Sequence, residues 1–257
     1  MELNIKEEHK FKYVEEGEGP VLLLLHGLFG ALSNWGDVVD QFKDKFKVVI
    51  PLMPIYGLPL LNTNVTFLER YISEFIHLKN YKNITLVGNS LGGHVALIHV
   101  TKNPERIKQL VLTGSSGLYE NTMGSTFPRR EDYDFIKKKV QLTFYDPEVA
   151  TKELVDEVFE IINNKAKVIR ILALAKSAIR HNMADELPHI KMPTCLIWGR
   201  NDTVTPPNVA EEFHQLIPDT DLFYIDQCGH APMMERPVKF NTILERWLTE
   251  KNVFADS

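Results

Sequence analysis

The sequence of 257 residues is 44% hydrophobic and 25% charged, which is typical of a globular protein with one large α/β domain or two small ones. Its formal net charge of −5 excludes nucleic acid as the main partner, because no face rich in lysine and arginine is implied. The short basic run Lys137–Lys139 fits a solvated helix face.

The start of the chain and its cysteines bear on the cellular compartment. Residues 1–20 are charged and lack an apolar core, which disfavours a secretory signal. The aliphatic run that follows, Val21–Leu25, is far too short to span a membrane. Cys195 and Cys228 lie far apart in sequence and do not indicate a disulfide framework. We expect a soluble cytoplasmic protein without membrane or nucleic-acid partners. The sequence leaves its oligomeric state open between monomer and homodimer.

Short apolar runs alternate with helical patterns along the chain. Six runs are typical of β-strands: Val21–Leu25, Lys47–Ile50, Ile84–Gly88, Gln109–Gly114, Thr194–Gly199 and Asp221–Asp226. Four helical patterns accompany them: Thr66–His77, Gly92–Lys102, Asn208–Leu216 and Pro237–Leu248. Runs that are apolar on both faces suggest strands covered on both sides. The alternation therefore predicts a doubly wound, mostly parallel sheet.

This alternation breaks between Leu118 and Glu186, where no strand pattern is found. Helical patterns occupy 133–146, 151–164 and 166–182 instead. Long insertions between strands often carry function, so we expect residues 118–186 to form a helical cap, or lid, over one edge of the sheet. The alternative is additional scaffold. Residues 1–117 and 187–257 would then form the core domain.

The segment Leu86–Gly93, with the sequence LVGNSLGG, places Ser90 between an apolar run and a helical pattern. Gly-x-Ser-x-Gly in this context forms a sharp elbow that exposes the serine oxygen at the carboxyl edge of the sheet. Glycines at 88 and 92 keep side chains out of the crowded approach. The positive end of the helix dipole also favours a developing negative charge there. We predict that Ser90 is a nucleophile, and the alternative is a plain tight turn.

A serine nucleophile needs a base, and the base needs an orienting acid. Among nine histidines, His230 is the best placed, because it lies in a loop after the last predicted strand and at the edge of the elbow. Asp202 follows the strand Thr194–Trp198, which gives the chain order Ser, Asp, His. Asp226 also precedes His230 but ends its own strand. The alternative role of Asp202 is to cap a turn.

A second strand runs into a glycine-containing turn at Leu22–Gly30, with the sequence LLLLHGLFG. Two backbone N–H groups must converge where an oxyanion forms. We predict that these come from Leu91, directly after the serine, and from Leu28. His26 is assigned a structural role, in which its ring bonds nearby backbone and shapes the loop.

Taken together, these motifs resemble those of the α/β-hydrolase family. HGLFG, GNSLGG, GRNDTVTPP and CGHAPMMERP stand in the family's order over nearly the whole chain. The resemblance implies an α/β fold with a doubly wound, mostly parallel sheet and a helical cap inserted after the sixth strand. It also implies a triad of Ser90, Asp202 and His230, an oxyanion hole made by Leu28 and Leu91, and no cofactor or metal.

Within that family the sequence is similar to small esterases and to carbon–carbon bond hydrolases of ring meta-cleavage products. We expect hydrolysis of a small carboxylic ester through an acyl-enzyme, with carbon–carbon or thioester cleavage as alternatives. Ala231, Pro232 and Met233 stand where the carbon–carbon hydrolases carry a tryptophan, and no arginine matches their carboxylate-binding one, which disfavours a dienoate. A non-catalytic ligand receptor on the same fold is the alternative from another class.

The substrate pocket is expected between the sheet edge and the cap. Its predicted walls are Phe29, Met123, Phe127, Leu172, Ile179, Met233 and Met234. Each of these also fits ordinary core packing. As a group they predict a small-molecule substrate with an apolar acyl or aryl part. The turn Ile50–Pro59 is expected to face away from the triad and to affect packing rather than chemistry.

Overall fold

A computed structural model describes residues 4–29, 35–120 and 129–251, and a β-sheet forms its centre. Within these residues, the strands follow the order β1-β2-β4-β3-β5-β6-β7-β8 across the sheet. Their bounds are β1 Ile5–Glu8, β2 Phe11–Glu16, β3 Val21–Leu25, β4 Lys47–Pro51, β5 Ile84–Asn89, β6 Ile107–Thr113, β7 Thr194–Gly199 and β8 Thr220–Ile225. Strands β3 to β8 pair in parallel, whereas β1 and β2 form an antiparallel edge. The predicted mostly parallel α/β sheet is therefore confirmed.

The six predicted strands are all present, and their ends differ from the predicted ones by at most two residues. Strand β3 shows why these runs are apolar throughout. Leu22 and Leu24 belong to the core on one face of the sheet, and Leu23 and Leu25 to the core on the other. The edge strands β1 and β2 are missing from the prediction, because charged residues interrupt their apolar pattern.

Two layers of helices cover the sheet. The helices are α1 Gly36–Phe42, α2 Val65–Leu78, α3 Leu91–Lys102, α4 Tyr133–Gln141, α5 Lys152–Asn163, α6 Lys165–Arg180, α7 Pro207–Leu216, α8 Pro232–Glu235 and α9 Pro237–Glu250. Buried residues of α2, α3 and α7 join the core on the side of Leu23, and those of α1 and α9 join the core on the side of Leu22. No helix in the described part of the chain is long and apolar enough to cross a membrane.

Helices α4, α5 and α6 lie between β6 and β7 in the chain and contact one another in that order. They have a small core of their own: Ile136, Val140, Ala150, Val155, Val158 and Ile162. Two hydrogen bonds tie α6 to the segment before α2. Arg170 Nε donates to the Leu58 carbonyl at 2.6 Å, and the Val65 amide donates to Ser177 Oγ at 3.1 Å. The domain division at residues 118 and 186 stays a prediction.

The parallel register brings several strand ends to one edge of the sheet. Leu25 at the end of β3 pairs with Gly88 in β5, and Asn89 pairs with Thr113 at the end of β6. On the other side, Gly199 in β7 pairs with Ile225 in β8. The turns that follow these strands are therefore neighbours in space, although they are far apart in sequence.

Candidate active site

Ser90 lies in the turn between β5 and α3 with a backbone conformation that residues other than glycine rarely adopt. Its φ is 53° and its ψ is −121°. The turn is tight enough to exclude side chains on both sides. A Cβ at Gly88 would lie 2.5 Å from Gly93 Cα, and a Cβ at Gly92 would lie 2.3 Å from the Leu25 carbonyl oxygen. The two glycines therefore permit an elbow that presents Ser90 at the N-terminus of α3.

Asp202 follows β7 and uses both carboxylate oxygens. Oδ1 accepts hydrogen bonds from the amides of Val204 at 2.8 Å and Thr205 at 2.9 Å. Oδ2 accepts from Thr205 Oγ1 at 2.8 Å and lies 2.9 Å from His230 Nδ1. Asp202 thus caps its own turn with one oxygen and orients His230 with the other. Asp202 therefore makes both the turn-capping hydrogen bonds of the alternative role and the predicted contact with His230.

His230 lies in the loop after β8 and is 7% exposed. Its amide donates to the Thr143 carbonyl at 2.9 Å, and Asn89 Nδ2 donates to its carbonyl at 3.3 Å. The ring also passes close to the backbone after β6, because a Cβ at Gly114 would lie 2.9 Å from Nδ1. The loop is therefore fixed by the segment after α4, by the elbow and by the end of β6.

The electrostatic surroundings of His230 favour its charged form. Burial lowers the pKa of the imidazole, but the charge of Asp202 and its hydrogen bond raise it. The charge of Glu120 adds to the rise, and the net result is a raised pKa. Such a site stabilises the imidazolium that forms when a histidine removes a proton from a serine hydroxyl.

The other candidates for the acid and the base do not lie beside Ser90 in the cavity. Asp226, the rival acid, has a side chain that is 73% exposed and pairs with Arg200. His94 and His99 are buried along α3, and His214 is exposed on α7. Of the histidines within the described ranges, only His230 lines the cavity that Ser90 also lines.

The turn after β3 brings Gly27 and Leu28 against the elbow. A Cβ at Gly27 would lie 3.2 Å from Ser90 Cβ, so little more than a glycine fits between the two turns. His26 lies within hydrogen-bond distance of the Gly27 carbonyl through Nδ1, at 2.9 Å, and accepts from the Met53 amide through Nε2, at 3.1 Å. Burial lowers the pKa of His26, and its contact with Gly27 partly opposes this. A neutral ring with Nδ1 protonated satisfies both contacts and holds the turn.

The expectation that the turn Ile50–Pro59 faces away from the triad is wrong, although none of its residues lines the cavity that contains Ser90. Strand β4 pairs with β3, so the turns that follow these parallel strands meet at the same edge of the sheet. Besides the bond from Met53 to His26, the hydroxyl of Tyr56 donates to the Leu28 carbonyl at 3.2 Å. This turn therefore supports the loop that carries Leu28.

A cavity of about 280 Å³ lies between the sheet edge and helices α4 to α6. Ser90, Leu91, Gly27, Leu28 and His230 all contribute to its walls. Its remaining lining is mainly aliphatic and aromatic, which is the usual character of a site for a small molecule. The predicted nucleophile, base and amide-bearing residues therefore share one enclosure.

Some of the residues that were predicted to form the pocket line this cavity. Phe29, Leu172 and Met234 line it. Ile179 does not, because α6 presents positions 168, 171, 172, 175 and 178 to the cavity and Ile179 lies outside that stripe, 45% exposed. Met233 is also misassigned, since it is 1% exposed and packs in the core below the sheet edge. Met123 and Phe127 lie outside the described residues.

Polar groups that the sequence patterns do not reveal also line the cavity. They are Ser116, Glu120, Arg130, Lys139 and Thr143. Ser116 Oγ donates a hydrogen bond to Glu120 Oε2. A possible signal in the sequence is the segment SSGLYE directly after β6, where strand ends at this edge supply side chains to the cavity.

Glu235 is a second carboxylate that the sequence patterns do not reveal. It is 5% exposed and accepts the amide of Gly229 at 2.5 Å and the amide of Asp146 at 2.7 Å. Gly229 precedes His230, and Asp146 follows α4 in the chain. The carboxylate therefore joins the loop of His230 to the segment after α4 through two backbone donors.

We expect Glu235→Gln to lower both stability and turnover. A glutamine has one carbonyl oxygen, so its NH₂ group must face one of the two backbone N–H donors and leave it unpaired. A loss of about 1–3 kcal/mol in the free energy of unfolding is the expected cost. Urea unfolding and ester hydrolysis measure the two effects, and Glu212→Gln on the exposed face of α7 is the matched control. Equal values for both variants would contradict the role of Glu235.

The described residues contain no cluster of three or more histidine, cysteine, aspartate or glutamate side chains with the geometry to hold a metal ion. Besides the polar side chains named above, the groups at the cavity include the hydroxyl of Ser90 and the imidazole of His230, which contacts Asp202.

Known proteins resemble this chain over most of its length. The family model described as alpha/beta hydrolase fold matches residues 20–237. A pimeloyl-acyl-carrier-protein methyl ester esterase from Nitrosomonas europaea is 28% identical over 87% of this chain and 94% of its own. A 2-hydroxy-6-oxononadienedioate/2-hydroxy-6-oxononatrienedioate hydrolase from Pseudomonas sp. is 25% identical over 89% and 87% of the two chains.

Among solved structures, MGS-MChE2, an alpha/beta hydrolase enzyme from the metagenome of sediments of the lagoon of Mar Chica, Morocco, is 46% identical. The alignment covers 97% of this chain and 99% of that one, with a TM-score of 0.81. The sheet, the matched family model and this relative agree on the fold and on the class of enzyme. The chain belongs to the α/β-hydrolase family and is a hydrolase.

Proposed function

We propose that this hydrolase cleaves small carboxylic esters, with Ser90 as nucleophile, His230 as general base and Asp202 as the acid that orients the base. The observation that carries the proposal is the buried hydrogen bond of 2.9 Å between His230 Nδ1 and Asp202 Oδ2, in a cavity that Ser90 also lines. Two turns with backbone amides flank the same space. The strained conformation of Ser90 adds support, because strain of this kind clusters at functional sites.

In the proposed mechanism, His230 Nε2 removes the proton of the Ser90 hydroxyl while the oxygen attacks the ester carbonyl carbon. Negative charge moves to the carbonyl oxygen, where the amides of Leu28 and Leu91 stabilise it. The tetrahedral intermediate collapses, and the alcohol leaves with the proton from His230. Water then attacks the acyl-enzyme with His230 again as base, which releases the carboxylic acid and restores Ser90.

The cap belongs to the same proposal. Side chains of α4, α5 and α6, among them Val140, Val158 and Ile171, face the cavity opposite the triad. We assign residues 118–186 to a cap that closes over the bound substrate and keeps bulk solvent away from the apolar part of the site. The apolar lining favours a modest acyl or aryl group, since each buried methylene adds about 0.8 kcal/mol of binding.

A fluorophosphonate probe tests the nucleophile directly. It should form one covalent adduct, on the peptide that contains Ser90, because only an activated serine displaces fluoride at phosphorus. Mass spectrometry after digestion locates the adduct, and Ser90→Ala is the control that should remain unlabelled. A wild-type protein that stays unlabelled would favour the alternative of a non-catalytic ligand receptor. An adduct on another serine would assign the role of nucleophile to that serine.

A substrate panel measured on the same preparation separates the alternatives for the bond that is cleaved. Ester turnover well above that of a matched thioester and a dienoate supports the proposal. Preference for the dienoate would assign carbon–carbon cleavage instead.

A further inference from the structure

Glu120 places a carboxyl group in an otherwise mainly apolar cavity. It follows the turn after β6 and lines the cavity together with Ser90 and His230. The residue is half-buried, and Ser116 Oγ donates a hydrogen bond to its Oε2. Ser116 is itself fixed at the elbow, because its amide donates to the Ser90 carbonyl at 3.1 Å. The carboxyl group is thus held next to the nucleophile by a buried partner.

Glu120 and His230 line the same cavity, and the charge of each affects the pKa of the other. The pKa of Glu120 is raised, because burial outweighs the hydrogen bond from Ser116 and the charge of His230, which both lower it. In return, the charge of Glu120 contributes to the raised pKa of His230. Arg130 and Lys139 line the cavity from the cap side, but the charge that acts on Glu120 comes from His230.

The mechanism proposed above gives Glu120 no task. A carboxylate has acceptor positions for about four hydrogen bonds, and among the residues that the structure describes Ser116 donates to one of them. A substrate hydroxyl or ammonium group could donate to the others. A substrate carboxylate would instead lose its hydration beside a like charge, which is costly in a site of low dielectric constant.

We propose that Glu120 is a specificity determinant that favours esters with a hydrogen-bond donor or a cationic group near the scissile bond and rejects those with a carboxylate there. The inference rests on the proposed ester hydrolysis and narrows its substrate class. Amino-alcohol esters and hydroxyacyl esters fall within this class, and neutral esters are the reference against which it is measured. Dicarboxylic monoesters fall outside it.

Two series of substrates test the proposal, because the charge can be placed on either side of the scissile bond. In the first series, p-nitrophenyl esters carry a neutral, an anionic or a trimethylammonium-bearing acyl chain. In the second, butanoyl esters carry a neutral, an anionic or a cationic alcohol. In Glu120→Gln, kcat/KM for the anionic substrate relative to the neutral one should rise about tenfold in at least one series. The corresponding ratio for the cationic substrate should fall.

Each ratio compares a charged substrate with the neutral one in the same enzyme. Arg130 and Lys139 are present in wild type and in Glu120→Gln, so they do not contribute to the difference between the ratios of these two enzymes. Glu120→Asp keeps the charge and should retain the wild-type order of preference. Glu157→Gln is the matched control, because Glu157 is a half-buried glutamate of α5 that does not line the cavity. Ratios that stay within twofold of wild type in Glu120→Gln, or that shift equally in Glu157→Gln, would overturn the proposal.

Calorimetric binding of pentanoate, pentanamide and butyltrimethylammonium gives a second readout that needs no turnover. In Glu120→Gln the Kd ratio of pentanoate to pentanamide should fall about tenfold. A wild-type protein that does not hydrolyse the neutral ester would refute the proposed function, and the Kd ratios would still decide the role of Glu120.

Discussion

Ser90→Ala is expected to lower kcat for p-nitrophenyl butyrate by about 10⁴-fold or more, the loss typical of removing a serine nucleophile. The substitution removes the hydroxyl and leaves the backbone requirement unchanged, since alanine and serine have similar difficulty at a φ of 53°. The elbow is held by Gly88 and Gly92, which stay in place. The cavity should therefore keep its shape and its affinity for product acids.

The control for this prediction is Ser73→Ala, which deletes the hydroxyl of a partly buried serine on α2, outside the cavity. It should retain wild-type turnover. Thermal unfolding of both variants separates loss of chemistry from loss of fold. Ser90→Ala turnover within tenfold of wild type, with the same melting temperature, would remove Ser90 from the mechanism.

The strands and the motif-bearing turns could be predicted because their signals are local. Each is a short apolar run followed directly by a glycine-rich or polar turn, as in Leu86–Gly93. The parallel pairing then brings the turns together without any need to know side-chain contacts. The same logic, applied to β4, would have placed the turn at Met53 and Tyr56 beside Leu28, since β4 pairs with β3.

Residues whose role depends on the phase of a helix or on distant partners could not be predicted. Ile179 and Leu172 are equally apolar in the sequence, and only their angular position on α6 decides that one faces solvent and the other the cavity. Glu235 resembles any surface glutamate until Asp146 and Gly229 are seen to donate to it from separate loops. Glu120 is recognisable only once its place in the cavity is known.

Asp202→Asn is expected to lower kcat by about 10³- to 10⁴-fold while the fold persists. The asparagine carbonyl can still accept the amides of Val204 and Thr205, which now bind Oδ1 of the aspartate. Its NH₂ group then replaces Oδ2 and faces His230 Nδ1. An NH₂ donor at that position selects the tautomer protonated at Nε2, and this tautomer cannot accept the proton of Ser90.

The pH profile gives Asp202→Asn a signature that simple destabilisation would not produce. Burial lowers the pKa of His230, and Asp202 is the main group that raises it. Without the carboxylate charge of Asp202, less opposes the effect of burial, and the pKa of His230 falls. A general base works in its neutral form, so the acid limb of kcat/KM should move to lower pH even as the plateau drops. Asp226→Asn, which removes a charge from the exposed pair with Arg200, should leave plateau and limb in place. An acid limb that moves to higher pH in Asp202→Asn would contradict the assignment of Asp202 as the partner of His230.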